Sequence, residues 1–319
     1  MKKILAIVGP TASGKSSLAL ALAKRLDGEI ISCDSMQIYR RMDIGTAKPT
    51  KEELSEVRHH LIDVCEPDVS FSVADYVSLA ASAIEDCLKR GKLPIVCGGT
   101  GLYLDALLRG NDLAPDTTNA SVRAELMEYA EKNGAQALWD ILREIDPKSA
   151  EATHPNNVKR VARAIEIYRV SGVTKTELDR RSREGGTRYD ACVIGLRYEN
   201  RELLYNRIDR RVDIMLSEGL VAETKLLLSE GVFEKNATAA QAIGYKELLP
   251  YCRGEVSLEN ASEALKTATR RYAKRQITWF SAKSYVDWLS VSNTDEKTFE
   301  EIVNNAEKLF KNKEIYDKI

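Results

Sequence analysis

Apolar runs of strand length alternate, over the first hundred residues, with segments in which apolar residues recur every three or four positions. The runs are KILAIV, GEIISCDS, HHLIDV and LPIVCGG, and the periodic segments are SSLALALAKRL and VADYVSLAASAIEDCLKR. Ser72 and Asp75 form a capping box in front of the second periodic segment. Because almost wholly apolar strands are typical of parallel sheets covered on both faces, the pattern predicts a doubly wound α/β core.

The pattern changes at the polar stretch NDLAPDTTNA, after which only helical periodicity is present up to about Arg183. Strand character then returns with YDACVIGLRY. We therefore expect a helical insertion domain at residues 115–185, which interrupts one α/β core formed by residues 1–114 and 186–319.

The rest of the core is predicted from the same two periodicities. Long helical patterns cover about 200–230 and 258–283, VDWLSV is predicted as a last strand, and residues 296–313 as a last helix. The expected fold is therefore an α/β core with a doubly wound parallel sheet and a helical insertion.

Composition narrows the class of protein. Hydrophobic residues make up 44% of the chain and charged residues 30%, and no apolar run reaches the roughly 18 residues of a transmembrane helix. Six cysteines without a C-x-x-C pair, with only three histidines, argue against a zinc site and indicate reduced thiols. We therefore expect a cytoplasmic protein without a membrane partner.

Charge is unevenly distributed along the chain. The formal net charge is −1, which argues against a general affinity for nucleic acid. Residues 155–211, however, contain 14 Lys and Arg against 8 Asp and Glu. Such a basic stretch fits contact with a phosphate backbone, and it equally fits a solvated helical surface.

The segment GPTASGKSS directly follows the first predicted strand and matches the motif G-x-x-x-x-G-K-[ST] without a mismatch. Glycines in such a loop let backbone N–H groups turn inward, and the helix that follows adds its partial positive charge. The motif predicts that this segment, here called the phosphate loop, binds a di- or triphosphate. The ammonium of Lys15 would meet the terminal phosphates, and the hydroxyl of Ser16 can bind Mg²⁺. The residues of the loop are Gly9, Pro10, Thr11, Ala12, Ser13, Gly14, Lys15 and Ser16.

The phosphate loop alone leaves several functions open. An N-K-x-D guanine motif is absent from the sequence, which argues against a GTPase, and LPIVCGG ends in glycines rather than in the acidic pair of many ATPases. From this motif alone, a small-molecule or nucleotide kinase is the default hypothesis.

Two further strand ends carry polar residues. Asp34 follows the second predicted strand, and Thr100 follows LPIVCGG within GGTGLY. Because the carboxyl ends of parallel strands line the ligand crevice of an open α/β sheet, we expect both residues beside the phosphate loop. A carboxylate there can accept a proton from a nucleophile, whereas simple helix capping is the alternative role for both side chains.

Two helical segments combine cations with aromatic residues or with one another. HPNNVKRVARAIEIY places Lys159 and Arg163 four residues apart, and RRYAKRQITWF places Arg270 and Lys274 four residues apart among Tyr and Trp side chains. Cations interleaved with aromatic rings suit a nucleic acid. An amphipathic helix with buried rings and solvated cations is the competing interpretation.

Seven stretches occur in one order: GPTASGKS, DSMQIYRRMDIGTAKP, HHLIDV, GGTGLY, HPNNVKRVARAIEIY, QAIGYKE and RRYAKRQITWF. In this combination the chain resembles the tRNA dimethylallyltransferases, or tRNA isopentenyltransferases, over about residues 1–290. The resemblance implies transfer of the dimethylallyl group from dimethylallyl diphosphate to N6 of the adenosine directly 3′ of the anticodon in tRNA. It also implies dependence on Mg²⁺, with the phosphate loop holding the diphosphate leaving group and no ATP consumed.

The resemblance carries roles onto individual residues of this sequence. Asp34 matches the family's general base on the adenine N6, and Thr100 matches a threonine beside the reacting centre. Ser16 would hold Mg²⁺, and Arg211 aligns with a family arginine that we assign to diphosphate. Because the target base must leave its stack to reach such a site, it would be extruded from the anticodon loop.

The tRNA contacts implied by the resemblance form three groups and one departure. The first group surrounds the extruded base and consists of Asp34, Ser35, Met36, Gln37 and Thr100, of which Gln37 would read the adenine edge. The second group is Lys159, Arg160, Val161, Ala162 and Arg163. The third group is Ala242, Ile243, Gly244, Tyr245 and Lys246. Ser121 lies where the family often has an acidic residue or proline in a tRNA-contact loop, which affects that contact rather than the activity.

The sequence carries neither the C-terminal zinc finger of the eukaryotic members nor a transit peptide. This fits a cytoplasmic enzyme of the bacterial type. We also expect the protein to act as a monomer.

Overall fold

Six strands form one parallel sheet in the residues that the computed structural model describes, which are 2–109, 119–184, 186–236 and 238–316. The strands are β1 (Lys2–Val8), β2 (Gly28–Ser32), β3 (His59–His60), β4 (Leu93–Gly98), β5 (Tyr189–Tyr198) and β6 (Val286–Val291). Their order across the sheet is β3-β2-β4-β1-β5-β6, and every pairing is parallel. The predicted α/β fold with a doubly wound parallel sheet is confirmed.

Helices connect these strands, and several of them follow one another in the chain without a strand between them before β5. In chain order they are α1 (Lys15–Arg25), α2 (Lys51–Glu56), α3 (Val73–Lys89), α4 (Gly101–Arg109), α5 (Ala120–Asn133), α6 (Ala135–Ile145), α7 (Pro147–Glu151), α8 (Val158–Ser171), α9 (Lys175–Glu184), α10 (Arg201–Ser217), α11 (Leu220–Ser229), α12 (Val232–Lys235), α13 (Leu249–Cys252), α14 (Leu258–Ser281) and α15 (Glu296–Tyr316). A short 3-10 turn covers Ala239–Gln241.

The chain divides into two compact units. The first consists of Met1–Leu107 and Tyr189–Ile319, and the second of Leu108–Arg188. In the second unit, α5, α6 and α8 pack on one another around Leu126, Leu138, Leu142, Val161 and Ile165. The predicted boundary between residues 114 and 115 lies outside the described residues.

The central strands are buried on both faces, which explains their apolar sequences. Leu5 and Ile7 of β1 lie in one cluster with Leu18 and Leu22 of α1 and Val303 of α15. The alternate residues of β1 point to the other face and are buried as well. Register then aligns the strand ends, because Val8 pairs with Gly98 and Ser32 pairs with Cys97. The turns after β1, β2 and β4 therefore meet at one edge of the sheet.

Two predicted elements differ from the structure because of local backbone geometry. HHLIDV is a strand only at His59–His60, since Leu61 and Asp63 adopt left-handed backbone with φ of 62° and 56°. The helix predicted over 200–230 is broken at Gly219, whose φ of 107° ends α10 and starts α11. The capping box of Ser72 and Asp75 is present at the start of α3.

A fully buried carboxylate connects α5 and α8 in the second unit. Glu166 is 0% exposed and accepts hydrogen bonds from Asn119 N at 2.7 Å, Arg123 Nη2 at 2.8 Å and Arg163 Nη1 at 2.9 Å. Burial by itself raises the pKa of a carboxyl, but the bonds from Arg163, Asn119 and Arg123 outweigh it. The pKa of Glu166 is therefore held below its usual 4.5.

We predict that Glu166→Gln destabilises the helical unit by about 1–3 kcal/mol at neutral pH, because an amide cannot replace a carboxylate between two guanidinium groups. Since the folded pKa lies below the unfolded 4.5, the stabilisation by Glu166 is present above that pH and is lost as the pH falls through and below it. Denaturant unfolding at several pH values measures the difference between variant and wild type, which should shrink in acid.

Glu125→Gln is the matched control for this experiment, because Glu125 lies on the same unit with an exposed carboxylate. Its effect should stay within about 0.5 kcal/mol. Equal stability of the wild type and Glu166→Gln at neutral pH would contradict the prediction.

Candidate active site

The phosphate loop connects β1 to α1 with the backbone geometry that its glycines allow. Gly9 and Gly14 have φ of 149° and 90°, and Ala12 also lies in the left-handed region at 61°. Gly14 precedes α1 without a side-chain cap, so no side chain occupies the first N–H groups of this helix. Ser16 and Ser17 are exposed at this end. The helix start is therefore open to an anion.

One amide of the phosphate loop has a different role from the predicted one. The N–H of Thr11 donates to Oε1 of Gln276 at 2.8 Å, so it is already bonded within the protein. The Lys15 ammonium in turn donates to the carbonyl oxygen of Pro10 at 3.3 Å, which folds the side chain back over the loop.

Three arginines of α10 share a cavity of about 450 Å³ with Lys15 and Ser16. They are Arg207, Arg210 and Arg211. Burial lowers the pKa of the Lys15 ammonium, and the charge of Arg211 lowers it further. Burial also lowers the pKa of Arg211. A buried ammonium beside a guanidinium is stabilised by an anionic ligand.

Asp34 and Thr100 are brought together by the turns that follow β2 and β4. Thr100 N donates to the Cys33 carbonyl at 3.1 Å, and the Ser35 N–H donates to Thr100 Oγ1 at 3.1 Å. Asp34 Oδ1 accepts from the Met36 N–H at 2.9 Å, which shapes the turn. Neither side chain is therefore used simply as a helix cap.

A second cavity of about 560 Å³ is lined by Asp34, Ser35, Met36 and Tyr272. Arg211 lines both this cavity and the one at the phosphate loop. Burial and the nearby charge of Asp34 raise the pKa of the Tyr272 hydroxyl above its usual value. The site thus combines a carboxylate, a protonated phenol and a cationic pocket within one unit.

The glycines of GGTGLY lie against other parts of the protein and leave no space for a ligand at their Cα atoms. A Cβ on Gly98 would lie 2.1 Å from the Cys33 carbonyl oxygen. On Gly99 it would lie 1.9 Å from Nε2 of Gln276, and on Gly101 2.2 Å from the Trp279 ring. The turn after β4 therefore fits directly against α14.

A carboxylate clamps the segment between Asp43 and Gly45. Glu223 Oε2 accepts from the N–H groups of Asp43 and Ile44 at 3.0 Å each, and Oε1 accepts from Gly45 N at 3.1 Å. The Tyr245 hydroxyl donates to the same Oε1 at 2.6 Å. Because a Cβ on Gly45 would lie 2.5 Å from the Tyr245 ring, only glycine fits there.

Gln37 is held by the segment that follows this clamp. Its Nε2 donates to the carbonyl of Ala47 at 3.1 Å, and its Oε1 accepts from Ser32 Oγ at 2.9 Å. An adenine could be read by Gln37 only if these bonds were exchanged, so that role stays a prediction.

The structure separates the residues expected to contact tRNA into exposed and internal ones. Exposed side chains are Ser121, Lys159, Arg160, Lys246 and Lys274. Buried side chains are Val161, Ala162, Ala242 and Tyr245, and Gly244 is buried too. Ala242 and Gly244 nevertheless line the cavity of Asp34, so a contact with RNA stays a prediction for these residues. Helical and turn geometry accounts for this split, because neighbouring residues of one segment point to opposite sides.

Two arginines of the expected RNA set are engaged within their own units. Arg163 pairs with the buried Glu166, and Arg270 Nη1 contacts both oxygens of Asp209 at 2.7 Å. Ile243, also in this set, is partly buried against the cluster that contains Tyr245. These side chains therefore contribute to packing or to ion pairs.

A further polar cluster lies away from these cavities, at the edge of the sheet. Glu29, His60 and Cys87 place their ligand atoms within 4.8 Å of one another. Arg90 already donates to both oxygens of Glu29, and this pairing holds the pKa of Glu29 at about 2. A dication there would face a guanidinium, so the cluster is best explained as a buried ion pair.

Four side chains that shape the site were given no individual role by reasoning from the sequence: Gln276, Arg207, Tyr272 and Glu223. Arg207 Nε donates to the carbonyl of Ala12 at 2.9 Å, which supports the phosphate loop from α10. The segment RRYAKRQITWF contains Tyr272 and Gln276, but helical periodicity alone does not show which polar residue faces a loop.

No described helix combines the length and apolar character needed to cross a membrane.

Comparison with known proteins gives a consistent result. A family model described as IPP transferase matches residues 37–283. The tRNA dimethylallyltransferase of Caldanaerobacter subterraneus subsp. tengcongensis is 47% identical over 304 residues, covering 95% of this chain and 96% of that protein. The protein of the same name from Halalkalibacterium halodurans is 49% identical with the same coverage.

Solved structures show the same similarity. The full-length tRNA isopentenylpyrophosphate transferase of Bacillus halodurans is 45% identical, covers 100% of both chains and gives a TM-score of 0.73. A eukaryotic dimethylallyltransferase acting on tRNA is 30% identical with a TM-score of 0.80, covering 96% of this chain and 79% of its own.

We predict that Glu223→Gln releases the segment 43–45, since an amide group cannot accept all of the hydrogen bonds that the carboxylate accepts. Hydrogen exchange followed by mass spectrometry should show faster exchange of these amides, with a loss of about 1–3 kcal/mol in unfolding free energy. Glu234→Gln, at an exposed position of α12, should change neither quantity. Unchanged protection at 43–45 in Glu223→Gln would show that the clamp is dispensable.

Proposed function

The chain belongs to the IPP transferase family, and we propose on this premise that it transfers a dimethylallyl group from dimethylallyl diphosphate to tRNA. The acceptor is N6 of the adenosine 3′-adjacent to the anticodon, and the product is N6-isopentenyladenosine. The observation that carries this proposal is the position of Arg211, which lines both the phosphate-loop cavity and the cavity of Asp34. Leaving group and acceptor thus have adjoining sites. The relatives favour this reaction over a nucleotide kinase.

The proposed reaction exchanges one bond for another at a single carbon. N6 of adenine forms a bond to C1 of the dimethylallyl group, while the bond from C1 to the diphosphate oxygen breaks. The proton on N6 goes to Asp34, whose Oδ1 is held by the Met36 N–H and whose carboxylate lines the cavity. Thr100 Oγ1 accepts a hydrogen bond from the N–H of Ser35, the residue after Asp34, and in this way helps to position the Asp34 carboxylate.

The leaving diphosphate carries the negative charge that develops in the reaction. Lys15 and Arg211 are cations whose burial favours an anionic partner, and the open start of α1 adds its partial positive charge. Because these groups are in place before the substrate arrives, little reorganisation is required as the bond breaks.

Ser16 fits the role of an Mg²⁺ ligand. Its side chain is exposed at the start of α1 beside Lys15, and Mg²⁺ is commonly held by one or two protein oxygens together with phosphate oxygens and water. When bound, the ion would neutralise part of the diphosphate charge.

Binding of tRNA is proposed for the exposed cations of both units. Lys246 and Lys274 are exposed in the first unit, and Lys159 and Arg160 in the second. Lysine and arginine contacts with the phosphate backbone fix the register of a nucleic acid without reading its sequence. The base itself would be held by Asp34, Ser35 and Met36 in the larger cavity.

We expect the protein to act as a cytoplasmic monomer.

We predict that tRNA incubated with the protein, Mg²⁺ and isotopically labelled dimethylallyl diphosphate gains the mass of one dimethylallyl group per molecule. Asp34→Asn should lower kcat by about 10²–10⁴-fold, because the amide preserves the bond to Met36 but cannot take the proton. Mass spectrometry of nuclease-digested tRNA measures both results. An unchanged tRNA mass with the wild type would refute the proposed transfer, and full activity of Asp34→Asn would remove Asp34 from its role.

We predict that Lys159→Ala combined with Arg160→Ala weakens tRNA binding by roughly tenfold and makes its salt dependence shallower, since each contact with phosphate releases counterions. Filter binding at several salt concentrations measures both quantities. Arg143→Ala removes an exposed cation of α6 that pairs with Asp140, and it serves as the control. Equal salt slopes for the double variant and the control would exclude these two residues from the interface.

A further inference from the structure

The side chain of Gln276 connects two loops of the active site. It lies on α14 and is 5% exposed. Oε1 accepts from the Thr11 N–H at 2.8 Å, and Nε2 donates to the Gly99 carbonyl at 3.0 Å. Because one end of a carboxamide only accepts and the other only donates, this bridge fits glutamine and no other residue of similar length.

The bridge continues into the turn that carries the catalytic groups. Gly99 directly precedes Thr100, whose N–H donates to the Cys33 carbonyl at 3.1 Å. Thr100 Oγ1 accepts from the Ser35 N–H, next to Asp34. A connected set of hydrogen bonds therefore runs from the phosphate loop, through Gln276, to the backbone on both sides of Asp34.

The carboxamide of Gln276 is packed so closely against Gly99 that neither group can move without displacing the other. A Cβ on Gly99 would lie 1.9 Å from Nε2, so the backbone of the turn is in direct contact with the carboxamide. Tyr272, one helical turn earlier on α14, lines the cavity of Asp34. One face of α14 thus lines the proposed base site through Tyr272 and bonds the phosphate loop through Gln276.

We propose that Gln276 is a positioning residue, which sets the place of the diphosphate leaving group relative to Asp34. This inference rests on the proposed prenyl transfer. Transfer to N6 requires the attacking nitrogen, C1 and the departing oxygen to be aligned, and a misplacement of about 1 Å costs on the order of a hundredfold in rate. Gln276 bonds backbone groups of the two loops and acts on the reaction only through them.

The test compares Gln276→Met with the wild type, because methionine keeps the length of the side chain and removes both hydrogen bonds. We expect kcat to fall by about ten- to a hundredfold, while KM for tRNA and the Kd for inorganic diphosphate with Mg²⁺ change by less than about threefold. A role in stability alone would lower the melting temperature and leave kcat intact below it. Gln136→Met, at an exposed position of α6, is the matched control.

A second variant reaches the same contact from the other side. Gly99→Ala displaces the carboxamide of Gln276, and it should lower kcat by a similar factor. Because both changes remove one bridge, the double variant should be no slower than the slower single variant. This variant also keeps the proposal testable if Gln276→Met folds poorly.

Three results would overturn the positioning role. They are an unchanged kcat in folded Gln276→Met, a loss confined to KM for tRNA, and independent losses that multiply in the double variant. A wild type that transfers no dimethylallyl group would instead refute the proposed function, and this inference with it. Hydrogen exchange at the Thr11 amide, which should accelerate in Gln276→Met, reports the bridge independently of activity.

Discussion

Parallel pairing of β2, β4 and β1 is the constraint on which the active site depends. Ser32 pairs with Cys97 and Val8 with Gly98, so the three strands end at one level of the sheet. The turns that follow carry the phosphate loop, Asp34 and Thr100. Since the strands are buried on both faces, a shift in their register would expose apolar side chains and separate these turns. The packing of the core therefore fixes the geometry of the candidate site together with the fold.

The helices that cover this edge convert three separate turns into one site. From α10, Arg207 supports the phosphate loop and Arg211 lines both cavities. From α14, Gln276 joins the phosphate loop to the turn of Thr100. A buried polar or charged group costs free energy unless it has a partner. The side chains of Arg207 and Gln276 have defined hydrogen-bond partners, and Arg211 faces cavities suited to an anion. Side chains that hold the loops in place thus also shape the cavities in which we propose that the substrates bind.

Helical phase separates exposed from internal side chains within the segments that are expected to meet tRNA. The segment from Lys159 to Arg163 was correctly predicted as helical, yet Val161 and Ala162 point into the core of the second unit. Arg163 pairs with Glu166, whose burial was not predicted from the sequence. Family resemblance therefore predicted the segments, whereas the exposure of each side chain depends on helical phase and on partners distant in sequence.

The sequence by itself determined the parallel α/β core, the phosphate loop and the family, because these depend on local periodicity, on glycine geometry and on the order of motifs. It also placed Asp34 and Thr100 at strand ends. Only the tertiary structure decided that Gly99 and Gly101 lie against α14, that Glu223 clamps residues 43–45 and that Gln276 bridges two loops. Each of these contacts joins residues more than a hundred positions apart, and no local pattern encodes which distant side chain completes a buried hydrogen bond.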